Sequence, residues 1–600
     1  MSEISVQRPK VGSESLVKRR VRHKLSGDAR LMQVLIVIAG IWLVTFVLLP
    51  LYEVLTRSFY NVQGDFIGLA NYLKYFTTPS LTYSLYNSMY VAVASTIITV
   101  SLAFIFAYSL TRTCMPGRNI FRVLASLPLF APSLVHALAF IYLFGNKGLF
   151  TTGFFGFFSD HLGFDPSFNI GLYHGPTGII LAEVFYLFPH ALMILVVALQ
   201  LADSRLYEAS IALSASPVRT FFTVTLPSVK YGLVSAIFVS FTLVFTDFGI
   251  PKVIGGNYSV MATDIYKKVV GQQDFIMGST VSVLLLAPTV IAFIIDRIMQ
   301  RRQVALLTSE IVPLKPKPNP TFDRIMFTFC SLVAAAIITV LGAALLASLV
   351  NTWPYNLTLS FRHYNFDIVG GGGMQAYWNS LRMATITAIF GTILVFTTSY
   401  LIEKGKGMKA GRAVLYLLST LPVALPGLVI GLAYIFFFNQ ARWVIPWVGL
   451  SIPNPFHFIY GTMAILVLST VIHFYTVSFY TAMTALKQLD PAFESVASSL
   501  SVPFYKTFWK VTVPVSLPAI LEVAYYYFVN AMTTVSAVIF LYSAHLHLAS
   551  VAAINMDDAG DTAPAAAMSM LIFFTGLGLR ILYGWATRSL KSRTQAWTVR

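Results

Sequence analysis

Charge is scarce in this sequence: 11% of its 600 residues, with only 24 Asp and Glu against 41 Lys and Arg. A water-soluble domain carries about a quarter charged residues, so an ordinary soluble fold is excluded. Cysteine is nearly absent. Cys114 falls in a polar loop and Cys330 in an apolar run, which argues against a disulfide, and neither has the His and Cys neighbours of a zinc site. A Gly-x-x-x-x-Gly-Lys-Ser/Thr phosphate loop is also missing. Gly405-Lys406-Gly407 has neither the spacing nor the hydroxyl, so ATP binding by that motif is not expected. Nor is there a paired-carboxylate or nucleophile–base set that would suggest a membrane enzyme.

What is abundant is apolar: 56% of the chain, with a mean hydropathy of +0.73. Twelve stretches are long enough to cross about 30 Å of hydrocarbon. They run over 33–56, 86–111, 121–145, 176–201, 230–250, 277–298, 324–350, 378–402, 413–438, 460–486, 516–543 and 563–586. The fold class expected is therefore an all-α polytopic membrane protein. The first stretch is too long for a cleavable signal, and no small-residue cleavage site follows it. Basic residues gather in the tail before it (Arg8, Lys10, Lys18, Arg19, Arg20, Arg22, Lys24, Arg30) and then in alternate loops, around Arg112 to Arg122, Arg297 to Lys317 and Lys404 to Arg412. A last group, Arg588, Lys591, Arg593 and Arg600, closes the chain. This alternation places both termini in the cytoplasm and explains the net charge of +17 by topology in the lipid bilayer, with no nucleic-acid partner.

The chain repeats itself. Asp203 and Asp490, Phe221 and Phe508, Pro227 and Pro514, and Asp274 and Asp561 are each 287 positions apart. Leu-Pro-Leu-Phe-Ala-Pro at 127–132 matches Leu-Pro-Val-Ala-Leu-Pro at 421–426, and Asn87-Ser88 matches Asn379-Ser380. Each copy has six spans and starts on the same side, so the repeat is parallel, about an axis along the membrane normal. The expected organisation is a basic tail (1–32), a first half (33–299), a linker (300–323), a second half (324–590) and a short tail (591–600). The linker holds Lys-Pro-Lys-Pro-Asn-Pro, which suits an extended tether.

Between the fourth and fifth spans of each half lies a patterned cytoplasmic loop. The first holds Glu208-Ala209-Ser210, then Ser214, Phe221 and Leu226-Pro227; the second holds Glu494-Ser495-Val496, then Ser501, Phe508 and Val513-Pro514. The pattern predicts two short amphipathic helices joined at Ser214 or Ser501, a shape able to seat in a groove on a partner. It resembles the EAA loop of permeases of binding-protein-dependent ABC importers. That resemblance implies a type I importer permease fold in the bacterial inner membrane, with these residues as coupling helices seated on a homodimeric ABC ATPase that carries ATP and Mg. It also implies a periplasmic solute-binding protein as the second partner, and no cofactor in this chain. Two departures stand out. Serine replaces the family's glycine in both copies, and the repeat register pairs Glu208 with Ser495, not with Glu494.

Ionisable residues within spans are costly and call for a role. Asp247 and Glu183 are the candidates for the translocation pathway; His136, His190, His473, Arg382 and Glu522 also fall in or near spans. Pro132 and Pro426, with Pro128 and Pro422, free backbone carbonyls that either a cavity or a kink accommodates. The acidic turn around Asn555 to Asp561 lacks a full calcium loop and is expected to face a docked binding protein. The fused halves and these acidic segments are similar to permeases for ferric iron or 2-aminoethylphosphonate, with 2-aminoethylphosphonate the expected cargo. A secondary transporter of two six-span halves is the alternative of a different class.

Overall fold

The structure, a computed structural model, describes residues 27–154, 175–306, 312, 314, 316–405, 407–445 and 450–594. Most of the basic N-terminal tail, part of the linker, Lys406, most of the final tail and the stretches 155–174 and 446–449 lie outside these residues. Among the described residues, eight helices cross-membrane in length are continuous: Gly27–Arg57, Pro79–Arg112, Pro176–Gln200, Pro217–Thr246, Phe275–Met299, Pro320–Leu349, Gly373–Lys404 and Thr562–Thr587. Four more are bent pairs: Arg118–Phe130 with Ser133–Phe144, Lys409–Ala424 with Gly427–Phe438, Met463–His473 with Tyr475–Lys487, and Phe504–Val515 with Leu517–Thr533. Counting each pair once gives twelve spans, six per half, in an all-α architecture with two small antiparallel hairpins (Val350–Thr352 with Asn356–Leu359, Arg442–Ile445 with Leu450–Pro453).

The single-run expectation fails at four spans, most sharply at the third span of each half. Pro128 and Pro422 open tight 3-10 turns, because a proline lacks the N–H that would continue the ladder. Pro132 and Pro426, extended and buried, then start the next helix. The two pieces meet at 100° in the first half and 112° in the second. The prolines thus make sharp bends that open helix N-termini inside the bundle, where the sequence suggested a cavity or a simple kink.

Other boundaries also moved. The sixth helix runs on to Leu306 and the seventh starts at Pro320, so the linker is shorter than expected. The eleventh span ends at Thr533, and turns follow in place of helix. The acidic turn at Asn555 is instead the end of a helix, Ala549–Asp558.

The halves embrace each other. The first span packs along Gly427–Phe438 of the second half, with the Tyr434 hydroxyl donating to the Phe46 carbonyl at 2.9 Å. Reciprocally, the seventh span packs along Ser133–Phe144. Thr289 of the sixth span donates to the Ala424 carbonyl at the opposite bend, 3.1 Å, and Gly576 of the twelfth lies against Phe130 at the other. Each half therefore supplies part of the other's core. The Asn-Ser pairs of the repeat act alike. Asn87 donates to the Ser259 carbonyl and Ser88 accepts from the Met261 N–H, while Asn379 donates to His547 and Ser380 accepts from Ala549. Each pair ties the start of a second span to a short helix that precedes the sixth.

Candidate functional site: two loops and a buried acid pair

Each loop is built from local chemistry. Asp203 Oδ1 accepts from the Arg205 N–H and N-caps helix Ser204–Ala212, and Asp490 Oδ1 accepts from the Ala492 N–H at the start of helix Ala492–Ser499. Both helices end in one motif. The Ser214 N–H donates to Ile211 O and Ala215 N–H to Ser210 O; Ser501 N–H donates to Ser498 O and Val502 N–H to Ala497 O. This double closure requires a left-handed residue, and Ser214 (φ 52°) and Ser501 (φ 54°) supply it. Serine here holds a conformation that glycine adopts without strain.

The chain then turns at Pro217 or Phe504 and passes through a π-turn, Phe221–Thr225 or Phe508–Thr512. Pro227 and Pro514 follow these turns. Removing their N–H groups leaves the helical ladder one residue out of step, and a π-turn absorbs that slip. In the first half the helix continues through Leu226 and Pro227; in the second it bends by 76° at Ser516. The difference is Pro518, a second proline in the turn after Pro514 that stands where the first half has Tyr231.

Phe221 and Phe508 point inward. Phe221 lies against Phe104 and Tyr108, at 6.0 and 6.2 Å between ring centroids, and Phe508 against Phe396 and Tyr400, at 5.9 and 4.8 Å. They anchor each loop to the second span of its own half. The outward surface comes from residues that sequence reading missed. Leu206, Leu213, Val218 and Phe222 are exposed at 51 to 81%, and Phe493, Leu500, Tyr505 and Trp509 at 43 to 70%. These are the same four positions of the repeat, and Ala209 and Val496 add a fifth exposed pair. Comparing the two loops position by position for apolar residues is the signal that could have found them.

Glu208 is exposed, whereas Glu494 pairs with Lys404 at 3.2 Å. The same place in the first half holds Tyr207 under the Arg112 guanidinium, 5.1 Å above the ring. Glu494 is therefore the structural counterpart of Tyr207.

Within the bundle, Asp247 ends the fifth span. Its Oδ2 accepts from the Ile250 N–H at 2.9 Å, and its carboxyl faces Ser133, first residue of the helix beyond the bend, and Glu183 of the fourth span. Glu183 is fully buried, and neither of its oxygens makes a hydrogen bond of normal geometry. Tyr186, one turn on, lies within electrostatic reach of both carboxyls and of Tyr526 from the second half. His136 and His190 flank its ring at 5.8 and 5.7 Å. The structure therefore brings Asp247 and Glu183 together, with Pro132 beside them; Pro426 marks the other bend, distant in sequence from any acid pair. By the repeat register, Thr470 and Thr534 stand where Glu183 and Asp247 do. Among the described residues, no three His, Cys, Asp or Glu side chains converge as a metal site. Glu522 is exposed on a groove of about 460 Å³ that Tyr480, Thr484 and Gln488 also line. Arg382 is exposed, and His473 meets the Phe474 ring edge-on at 4.5 Å.

On the face opposite the loops, Lys252 of the first half bonds Asp558 of the second at 2.9 Å. Asp557, beside it, has its carboxyl pushed up to about 6 by burial and by Asp558, against the pull of Lys252.

Membrane-spanning halves that interlock around broken third helices, each with a patterned loop between its fourth and fifth spans, define a fused two-half polytopic membrane protein. The chain belongs to the family described as binding-protein-dependent transport system inner membrane component, whose model matches residues 115–304 and again 404–592. It is thus a fused two-half permease subunit of the ABC importer class, a transport protein and not an enzyme. It is 27% identical to the ferric transport system permease protein FbpB of Actinobacillus pleuropneumoniae over 85% of this chain and 72% of that protein. It is 28% identical to a putative ferric transport permease of Haemophilus influenzae, over 83% of this chain and 76% of that one. A spermidine/putrescine permease homolog of Mycoplasma genitalium is 27% identical over 37% of this chain.

Proposed function

We propose that this chain is the permease of a ferric iron importer in the bacterial inner membrane, and that it couples to a separate, homodimeric ATPase through the two loops. The observation that supports the coupling is the set of exposed apolar residues repeated at matched positions, Leu213 with Leu500 and Phe222 with Trp509 foremost. A pair of apolar surfaces on one face of the bundle suits two identical clefts on a dimer. Glu208, Ala209, Ser214, Leu226 and Pro227, with Glu494, Ser501 and Pro514, shape these loops, while Phe221 and Phe508 hold them to the core. ATP and Mg belong to that partner. A periplasmic binding protein would meet the opposite face, where Lys252 and Asp558 lie. Both termini would be cytoplasmic, on the loop side, as the basic loops imply.

The cargo reading moves from 2-aminoethylphosphonate to iron. Long-range relatives carry ferric transport in their names, and the acid pair Glu183–Asp247 near the junction of the halves favours a cation over a phosphonate. The halves 33–299 and 324–590 would rock about this junction, driven by the ATPase. Uptake of labelled ferric iron, with 2-aminoethylphosphonate alongside, in cells lacking this chain and cells re-expressing it tests the cargo. Iron uptake restored by the chain supports the reading, and restoration of phosphonate uptake alone overturns it. Leu213→Asp with Leu500→Asp tests the coupling: loss of ATPase co-purification is expected, and full retention with normal uptake overturns the docking surface.

A further inference from the structure

Given the rocking of the halves proposed above, we infer that Arg297 pins one of the two seams between them, so that the motion opens the other. The seams are counterparts in the repeat. In one, the sixth span packs on the ninth; in the other, the twelfth packs on the third. The first seam is fastened at two levels. At the bend, Thr289 donates to the Ala424 carbonyl at 3.1 Å. Eight residues on, toward the loop side, Arg297 reaches across to two tyrosines of the second half. Its guanidinium lies over the rings of Tyr416 and Tyr480, 5.2 and 5.3 Å from their centroids, and donates to both hydroxyls, that of Tyr480 at 3.0 Å. A planar guanidinium held against two ring faces is already oriented for those bonds. Sliding this seam would break all of them together.

The second seam lacks these fastenings among the described residues. Gly576 stands in the place of Thr289 and lies against Phe130 with no side chain to donate. Gly584 stands in the place of Arg297, and a side chain there would enter open space. The positions matching Tyr416 and Tyr480 hold Arg122 and Met193, both exposed. A hydrogen bond does join this seam, Tyr142 with Thr562 at 2.8 Å, but at the end of the span away from the loops. There the first seam has only a ring contact, Phe275 with Phe436 at 6.2 Å. Beside the loops, the twelfth span can therefore shift against the first half without exchanging any of these bonds, as packed helices do in shear motions. The cytoplasmic mouth opens on that side. Two fused halves can keep such a difference, whereas an identical pair of subunits would be forced to duplicate it.

Spin-label distances read the two seams. In a Cys114→Ser, Cys330→Ala background, two register-matched pairs are labelled: Ile298→Cys with Thr484→Cys across the first seam, and Trp585→Cys with Val197→Cys across the second. All four positions are exposed. Pulsed dipolar spectroscopy in lipid nanodiscs compares the permease–ATPase complex without nucleotide and with ATP and vanadate. The second pair should change by about 5 Å or more and the first by about 2 Å or less. Equal changes, none at either seam included, or a larger change at the first, overturn the pin. The permease alone should give a narrow distance distribution at the first seam and a broad one at the second, and equal widths also overturn it. Failure of the ATPase to co-purify counts against the coupling reading, and the permease-alone widths then decide the seam by themselves. Arg297→Met should broaden the first pair toward the width of the second. If that variant does not yield intact protein, Tyr416→Phe with Tyr480→Phe, which removes only the hydroxyls, should broaden it in part. A first pair that stays as narrow as the native one in the variant that folds overturns the role of Arg297.

Discussion

Ser133 meets Gly249 so closely that any Cβ on Gly249 would collide with the serine hydroxyl. At the same place in the second half the two residues have changed sides: Gly427 takes the position of Ser133, and Ser536 that of Gly249. Each contact seats the chain beyond the fifth span against the bend of the third. Only one of the two partners can carry a side chain there.

That exchange makes a swap experiment possible. Gly249→Ser alone should overpack the contact and lower stability by about 1–3 kcal/mol. The double variant Ser133→Gly with Gly249→Ser recreates the second half's arrangement in the first and should recover most of the loss. Thermal unfolding of the detergent-solubilised protein reads both; equal loss in the single and double variants would contradict the reciprocal fit.

The loop turns carry strain that one substitution relieves. Ser214 and Ser501 are left-handed, a conformation that costs a non-glycine residue roughly 1 kcal/mol. Ser214→Gly and Ser501→Gly should each protect the loop against proteolysis by about 0.5–1 kcal/mol, net of the added freedom of the unfolded chain. Ser214→Val, with a β-branched side chain at the same φ, should do the opposite.

The second loop depends on an ion pair that the first replaces with a ring. Lys404 and Glu494 are mostly buried, their side chains 10% and 23% exposed. Removing either leaves the other unmatched, so Glu494→Gln or Lys404→Met should cut uptake several-fold, and the reversed pair Lys404→Glu with Glu494→Lys should restore part of it. Glu208→Gln, exposed and one position on from Glu494's counterpart Tyr207, should disturb folding little. Uptake assays together with ATPase co-purification distinguish the two effects.

Acid should favour the contact opposite the loops. The folded Asp557 carboxyl titrates near 6, above its ordinary value, with Asp558, Lys252 and the more distant Tyr142 hydroxyl around it. A raised carboxyl means that the folded state holds its proton more tightly, so stability falls as pH rises from about 4 through 6. The native protein should lose thermal stability over that window relative to Asp557→Asn, and the two curves should run parallel above pH 7. A difference that grows above pH 7 would point to another group.

Much of this architecture is readable along the chain. The number of spans, the two parallel halves and the position of each loop follow from hydropathy and from residues recurring at a fixed separation. Asp203 and Asp490 each accept a backbone N–H at the start of a loop helix where the repeat placed them, and the ties made by Asn87-Ser88 and Asn379-Ser380 act likewise. Phe221 and Phe508 stand out in the sequence as matched positions of the two loops, but their inward packing against the second spans does not. A short amphipathic helix has two sides, and sequence does not say which one meets the bundle.

Local features such as caps, proline bends and apolar length are set by residues near one another in the chain, and the sequence by itself determined them. Tertiary packing decided the rest. It covered each half's third span with the other half's first, gave Glu494 to Lys404 and not to the exposed face of the loop, and brought Glu183 on the fourth span to Asp247 at the end of the fifth. Those contacts join residues far apart in sequence, and their energies depend on burial and geometry that exist only after the helices have packed.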